Sequence, residues 1–241
     1  MDHSYYSISA FELLTLLGTD KAPCLIDVCL TEDIKAEPWC LPGAQHVQHR
    51  DVQLWGAAHA QDRPVITICQ KGLKLSHGAA AQLRSMGFDA RALTGGNRAW
   101  CTANYPRIAL SDSPAPGTSW VLHATRDAHA CIAAWVILRW YDPRAILMWV
   151  ASEHVQDVAA RFEAYALPET PLAQSFAATG LRYPDLLDFV TSVDTLTNAV
   201  TSLLGVLSNL HERDEDLIHA ALPFLDAAWL VHRQSDRQEV A

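Results

Sequence analysis

Positive charge is scarce in this sequence: 18 Lys and Arg stand against 27 Asp and Glu, a formal net charge of −9. No Lys/Arg cluster interrupts that acidic balance, so neither nucleic acid nor an anionic membrane is an expected partner, and any basic site must be local. An unbroken apolar run is also missing. The most apolar stretch, Cys131 to Val150, carries Arg139, Asp142, Pro143 and Arg144, which rules it out as a membrane span. The opening Met1-Asp2-His3-Ser4-Tyr5-Tyr6 has neither the basic nor the apolar region of a secretory signal, so a cytoplasmic protein is expected. The six cysteines (Cys24, Cys29, Cys40, Cys69, Cys101 and Cys131) form no Cys-x-x-Cys pair and no zinc-type spacing with histidine. They predict reduced thiols, mostly buried as small apolar residues with one reactive, and no metal or cofactor.

Apolar residues are plentiful, at 50% of 241, enough for a sizeable core. The clearest punctuation is Ser111-Asp-Ser-Pro-Ala-Pro-Gly-Thr118, which reads as a linker. It predicts a domain over residues 1–108, a linker over 109–118 and a second domain over 119–241, with no internal repeat between them. In the first half, short apolar runs alternate with helical patterns. Ser7 to Gly18 predicts an N-capped helix closed by glycine. Cys24–Val28, a short run ending at Val47, Val65–Ile68 and Ala90–Leu93 predict strands. Helices are expected from about Ser76 to Met86, closed by Gly87, and at Asn97–Trp100 after the Gly95-Gly96 turn. That alternation predicts an α/β domain, a parallel sheet flanked by helices. The second half predicts a mainly helical α(+β) domain. Trp120–His123 and Ala145–Val150 are its strands, Ala130–Tyr141 a buried helix, and Glu153–Tyr165, Pro184–Ser192, Thr195–Leu210 and Arg213–His232 amphipathic helices.

Cys69 follows the Pro64-Val-Ile-Thr-Ile68 strand, at the carboxyl end where open α/β sheets place their working groups. The segment Gln70, Lys71, Gly72, Leu73, Lys74, Leu75, Ser76 then leads into a helix. Gly72 permits tight curvature, and backbone N–H groups converging with the positive helix end make an anion nest. With Lys71 and Lys74 beside it, the position suits a thiolate or an anionic persulfide. A plain buried strand-end cysteine is the competing reading.

The first half resembles the rhodanese (sulfurtransferase) family. The residues that carry the resemblance are Leu25-Ile-Asp27-Val28, Leu41-Pro-Gly-Ala44 with His46, Cys69-x-x-Gly72 with Ser76, and Gly87 followed by Leu93-x-Gly95-Gly96-x-x-x-Trp100. They occur in the family's order and spacing over about residues 7–107. Two positions depart from it. Cys29 stands where an arginine usually follows Asp-Val, and Ser76 lies seven rather than six residues after Cys69, which predicts a loop one residue longer. Related phosphatases end such a loop with arginine, whose planar fork matches phosphate; Lys74 and Leu75 here argue against that activity. The resemblance implies a two-step reaction. Cys69 takes a sulfane sulfur from a donor such as thiosulfate, and a thiol or protein acceptor removes it, with the loop from Gln70 to Ser76 stabilising charge. A non-catalytic oxyanion sensor or scaffold using the same nest is the rival reading.

Residues 119–232 resemble, more loosely, the C-terminal domain of chromate-resistance proteins. Trp135, Ile137, Arg139 and Asp142-Pro143 match a Cys-x-Trp-x-Ile-x-Arg-x-x-Asp-Pro pattern, and Val193-Asp194-Thr195 an Ala-Asp-Thr. The patterned cysteine is Ala133, His129-Ala130 replaces an Asp-Arg, and Gln174–Gly180 has no Ser-His-x-Gly-x-x-Cys counterpart. Trp135, Arg139, Asp142 and Asp194 therefore read either as a ligand site or as core with a helix-end ion pair. Arg126 and Asp127, with His123 and His129, line either a polar pocket or a solvated loop. His46 and His49 are placed near the Leu41 turn without an assigned role. Glu212–Asp216 reads as an acidic first helical turn. The Leu/Val stripe of Thr195–Leu210 reads as core or as a self-association face, which would give a homodimer.

Overall fold

The computed structural model describes residues 5–59, 61–167, 171–195 and 199–239. The chain divides into two compact units, Met1–Leu17 with Lys21–Ser113, and Gly18–Asp20 with Pro114–Ala241. The break at Ser113/Pro114 falls inside the Pro-rich stretch, whereas the transfer of Gly18–Asp20 to the second unit has no local signal. No helix among the described residues is long and apolar enough to cross a membrane.

The first unit is an α/β fold. In chain order it contains β1 (Ser7–Ile8), α1 (Ala10–Leu16), β2 (Cys24–Asp27), α2 (Thr31–Ala36), β3 (Trp39–Cys40), β4 (Ala44–His46), α3 (Val52–Ala57), β5 (Val65–Ile68), α4 (Lys74–Ser85), β6 (Ala90–Leu93), α5 (Gly96–Thr102) and β7 (Arg107–Ala109). The main sheet runs β1-β6-β5-β2-β4, with every neighbouring pair parallel. β5 lies at its centre. Its four residues are all β-branched and all buried, as a strand covered on both faces requires. Thr67, its one polar side chain, donates to the Ser76 carbonyl at 2.7 Å. The chain leaves β2 towards β4 on one side and leaves β5 towards β6 on the other. The carboxyl ends of β2 and β5 thus form the switch point of the sheet, where such folds hold ligands.

Several boundaries differ from the sequence expectation. Ser7 does not cap a helix: it pairs with Ala92 in β1, and Ser9 caps α1 through the Glu12 N–H at 3.1 Å. α4 begins at Lys74, two residues early, and Gly96 opens α5. Helices α2 and α3 and the antiparallel pair β3/β7 were not expected.

Two glycines lock the β5–α4 loop against the β6–α5 turn. Gly72 has φ +64, and a Cβ there would lie 2.4 Å from the Leu93 carbonyl oxygen. Gly96 has φ +58, and its Cβ would lie 1.9 Å from the Cys69 carbonyl oxygen. Only a residue without a side chain allows either approach.

The second unit contains β8 (Ser119–His123), α6 (Ala128–Val136), β9 (Ile146–Val150), α7 (Val155–Phe162), β10 (Tyr165–Ala166), α8 (Leu172–Ala178), α9 (Pro184–Thr195), α10 (Ala199–Leu210) and α11 (Asp214–Glu239). β10-β8-β9 is a small parallel sheet, and helices make up most of the rest. The expected helix over Ala130–Tyr141 is α6 followed by a π turn at Ile137–Tyr141. That turn carries Arg139 onto Asp226 of α11, through Nε and Nη2, each at 2.9 Å. Trp135 Nε1 donates to the same carboxylate at 2.8 Å and the Asp20 N–H at 3.2 Å. Trp135, Trp140, Phe189 and Trp229 pack around the pair.

Two outcomes follow for stability. Asp226→Ala strands the half-buried Arg139 charge and the Trp135 N–H, so it lowers unfolding free energy by about 3–5 kcal/mol in a denaturant titration. Gly96→Ala adds overpacking to a left-handed backbone position. It costs about 1–3 kcal/mol for the packing alone and lowers the thermal midpoint, whereas Gly78→Ala, with open space around its Cα, does not.

Candidate active site

Cys69 is the first residue beyond β5. Its Sγ lies 3.2 Å from Ser76 Oγ, the third residue of α4. Ser76 is fully buried, and its hydroxyl also reaches the Leu73 carbonyl at 3.2 Å. With the thiol protonated, Ser76 donates to Leu73 and accepts from sulfur. With a thiolate, the same hydroxyl donates to sulfur. α4 starts at Lys74, so of the seven residues after Cys69 the last three, Lys74 to Ser76, lie in the first helical turn.

The carbonyls of Cys69 and Gln70 face away from the cradle and accept from Asn97 N and Arg98 N, each at 3.1 Å. Most of the N–H groups behave in the opposite way. The Gly72 N–H turns back on the Cys69 carbonyl, whereas among the described residues those of Gln70, Lys71 and Leu73 to Ser76 donate to no protein acceptor; the first helical bond of α4 is His77 N to the Leu73 carbonyl. Leu73 precedes the helix without a capping side chain. These N–H groups and the positive end of a 12-residue helix leave an electropositive cradle around Cys69. Lys71, Leu73 and Lys74 are exposed on the loop, Leu75 is half-buried, and Gln70 and Gly72 are buried.

Behind the loop lies a buried polar cluster that sequence reasoning missed. Asp27 Oδ1 accepts from Cys29 N at 2.8 Å, and Asn97 Nδ2 lies 3.4 Å from both Asp27 Oδ2 and Cys29 Sγ. Gln70 Oε1 is 4.0 Å from Cys29 Sγ. The missing arginine after Asp27-Val28 was the signal for this cluster, because it marks where a thiol fills the position instead.

All six cysteines are free. Burial, and next the Asp27 carboxylate, push the Cys29 thiol far up. Burial likewise pushes Cys40 up to about 11 and Cys131 up to about 12. Those three thiols stay protonated at neutral pH.

The second-unit candidates do not converge on one site. Arg126, at φ 54, bonds to Asp214 and to the His211 and Glu212 carbonyls, rather than lining a pocket with Asp127. Asp127 caps α6 through Ala130 N. His123 is buried against Ser152 Oγ at 2.9 Å. Asp142 is not the ion partner of Arg139: it accepts from Gly117 N and Arg144 N, and Arg139 turns to Asp226. The Asp194 side chain lies outside the described residues, as do residues 196–198 of the expected Thr195–Leu210 helix. No group of three metal-ligating side chains occurs among the described residues. His46 and His49 are exposed.

Comparison with known proteins bears on the first unit. The rhodanese-like domain family model matches residues 9–103. Similar solved structures include a rhodanese-related protein from Thermoplasma volcanium, at 21% identity and TM-score 0.38, covering 43% of this chain and 98% of that one. A rhodanese-like domain protein from Staphylococcus aureus is 23% identical with TM-score 0.36, covering 39% and 90%. A rhodanese homolog from Thermus thermophilus is 28% identical with TM-score 0.30, covering 39% and 98%. No curated protein matches the chain. Residues 9–103 form a rhodanese-like domain.

Proposed function

We propose that this protein is a sulfurtransferase that carries a sulfane sulfur as a persulfide on Cys69. The observation that carries the reading is Cys69 Sγ at 3.2 Å from Ser76 Oγ in the first turn of α4, on a loop where the N–H groups of Gln70, Lys71 and Leu73 to Ser76 meet no protein acceptor. The Cys69 thiolate attacks the outer sulfur of a donor such as thiosulfate. The S–S bond of the donor breaks, sulfite leaves with the bonding pair, and the charge moves to the new terminal sulfur. A thiophilic acceptor then attacks that sulfur and regenerates the thiolate. In both steps negative charge shifts within the cradle, where fixed N–H dipoles stabilise it without reorganising. Lys71 and Lys74, exposed on the loop, draw in an anionic donor. The resemblance of residues 119–232 to chromate-resistance domains gives this chemistry a proposed setting in oxyanion stress in the cytoplasm.

The test is thiocyanate formation from thiosulfate and cyanide, with mass analysis of the donor-treated protein. One added sulfur on Cys69, and loss of both signals in Cys69→Ser, is the expected result. A natively folded protein that binds thiosulfate yet gains no sulfur would instead make the loop a non-catalytic anion site. Ser76→Ala removes the hydroxyl donor to the sulfur while leaving the backbone cradle in place. A hydrogen bond to a charged group contributes about 1.5–3 kcal/mol, so stopped-flow sulfur loading slows by roughly tenfold or more in that variant.

A further inference from the structure

The buried cluster behind the loop is not used by sulfur transfer through Cys69 alone. Asp27, Cys29, Gln70 and Asn97 are 2%, 4%, 6% and 5% exposed, so each has been taken out of water. Cys29 leaves β2 beside the point where Cys69 leaves β5. Asp27 pairs with Ile68, and Val28 N donates to the Ile68 carbonyl at 2.7 Å. Strands about 4.8 Å apart, with Cys29 one residue beyond the position facing Cys69, put the two Cα atoms roughly 6 Å apart. Because the paired strands end at Asp27 and Ile68, the pleat no longer assigns the two side chains to opposite faces. A disulfide spans about that separation. Both side chains belong to one apolar cluster with Ile26 and Val28.

Two features make this more than a pair of buried thiols. The Asp27 carboxylate is anchored on the Cys29 backbone N–H at 2.8 Å, which holds a base close to that thiol, and Asn97 Nδ2 bridges the Asp27 carboxylate and the Cys29 sulfur at 3.4 Å to each. Asn97 Oδ1 is buried with no partner, although its amide nitrogen touches both Cys29 and Asp27. An unsatisfied buried acceptor is costly, and here it belongs to the amide that touches the Cys29 sulfur, on a residue whose backbone N–H bonds the Cys69 carbonyl.

We propose that Cys29 resolves the Cys69 persulfide, converting it to a Cys29–Cys69 disulfide and expelling hydrosulfide. The step rests on the persulfide chemistry proposed above. Asp27 takes the Cys29 proton, and the Cys29 sulfur attacks the inner sulfur of Cys69–S–S⁻. The Cys29–Cys69 bond forms as the persulfide bond breaks. The outer sulfur departs with the bonding pair, gains the proton from Asp27 and leaves as HS⁻, donating to Asn97 Oδ1 on its way. The sulfane sulfur is itself the oxidant and is reduced to sulfide, so no other is needed; a dithiol reductant restores both thiols. Protonated Cys29 attacks slowly, so an external acceptor that arrives in time takes the sulfur first. The domain thereby discharges a stranded persulfide as sulfide.

The experiment loads the full chain with thiosulfate, removes the donor and withholds any acceptor. The wild type is expected to release one equivalent of sulfide and to yield, in non-reducing peptide mapping, a peptide pair joined through Cys29 and Cys69. Cys29→Ala, with Cys29→Ser as the folding control, keeps the extra sulfur on Cys69 and loses the sulfide release. A wild-type persulfide that survives as long as the variant's, or a disulfide through any other cysteine pair, overturns the proposal. Uptake of no sulfur by either protein defeats sulfur transfer itself. Peroxide then tests the thiol pairing independently, since a Cys69 sulfenic acid meets the same Cys29 and loses water. Absence of that link overturns the pairing.

Discussion

The close approach of Gly96 to the Cys69 carbonyl governs the geometry of the whole loop. The Cys69 carbonyl accepts from Asn97 N and that of Gln70 from Arg98 N, so the first two peptide units after β5 are held on the start of α5. Gly72 completes the turn by fitting beneath Leu93 and Gly95, where any Cβ would collide. The anion cradle is therefore a consequence of backbone packing between two turns. The lysines of the loop add long-range attraction, but they lie exposed, where charge is screened.

A second constraint sorts the thiols. In Cys29, Cys40 and Cys131 burial comes first among the causes that hold the proton on sulfur. Cys69 is equally buried by area, and its sulfur lies beside the Ser76 hydroxyl at the start of α4. Cys29 instead shares its burial with Asp27 and Asn97, and the Asp27 carboxylate adds to the cost of charging the thiol.

Much of this was legible in the sequence because its causes are local. Four β-branched residues in a row at Val65–Ile68 read as a buried strand of a parallel sheet, and they are one. Glycines 72, 95 and 96 marked the turns, though not that the turns press on each other; that contact joins residues some two dozen positions apart. Helix α2 buries none of its six residues and has no capping side chain, so it carries no periodic signal. The start of α4 at Lys74, two residues before the expected Ser76, was not legible because it depends on tertiary contacts, including Thr67 to the Ser76 carbonyl. For the cluster around Cys29 the chain offered only the cysteine standing in the arginine position; its partners Asp27, Gln70 and Asn97 come from three elements and could not be read from the sequence.

The second unit shows the same limit from the other side. Asp142 lies three residues from Arg139, so a local ion pair was the natural expectation. The π turn at Ile137–Tyr141 instead aims Arg139 at Asp226, 87 residues away. Four donors converge on that carboxylate: two from Arg139, one from Trp135 and the Asp20 N–H. A buried charge is tolerable only when its hydrogen bonds are made, and here they are. The same satisfaction argues against a ligand site at these residues. Arg139 Nε and Nη2 and the Trp135 indole already have an acceptor, and a ring of aromatic side chains closes over them. Arg126 is likewise committed to Asp214 and two carbonyls. In this unit Arg126, Arg139 and the Trp135 indole are spent on holding helices together.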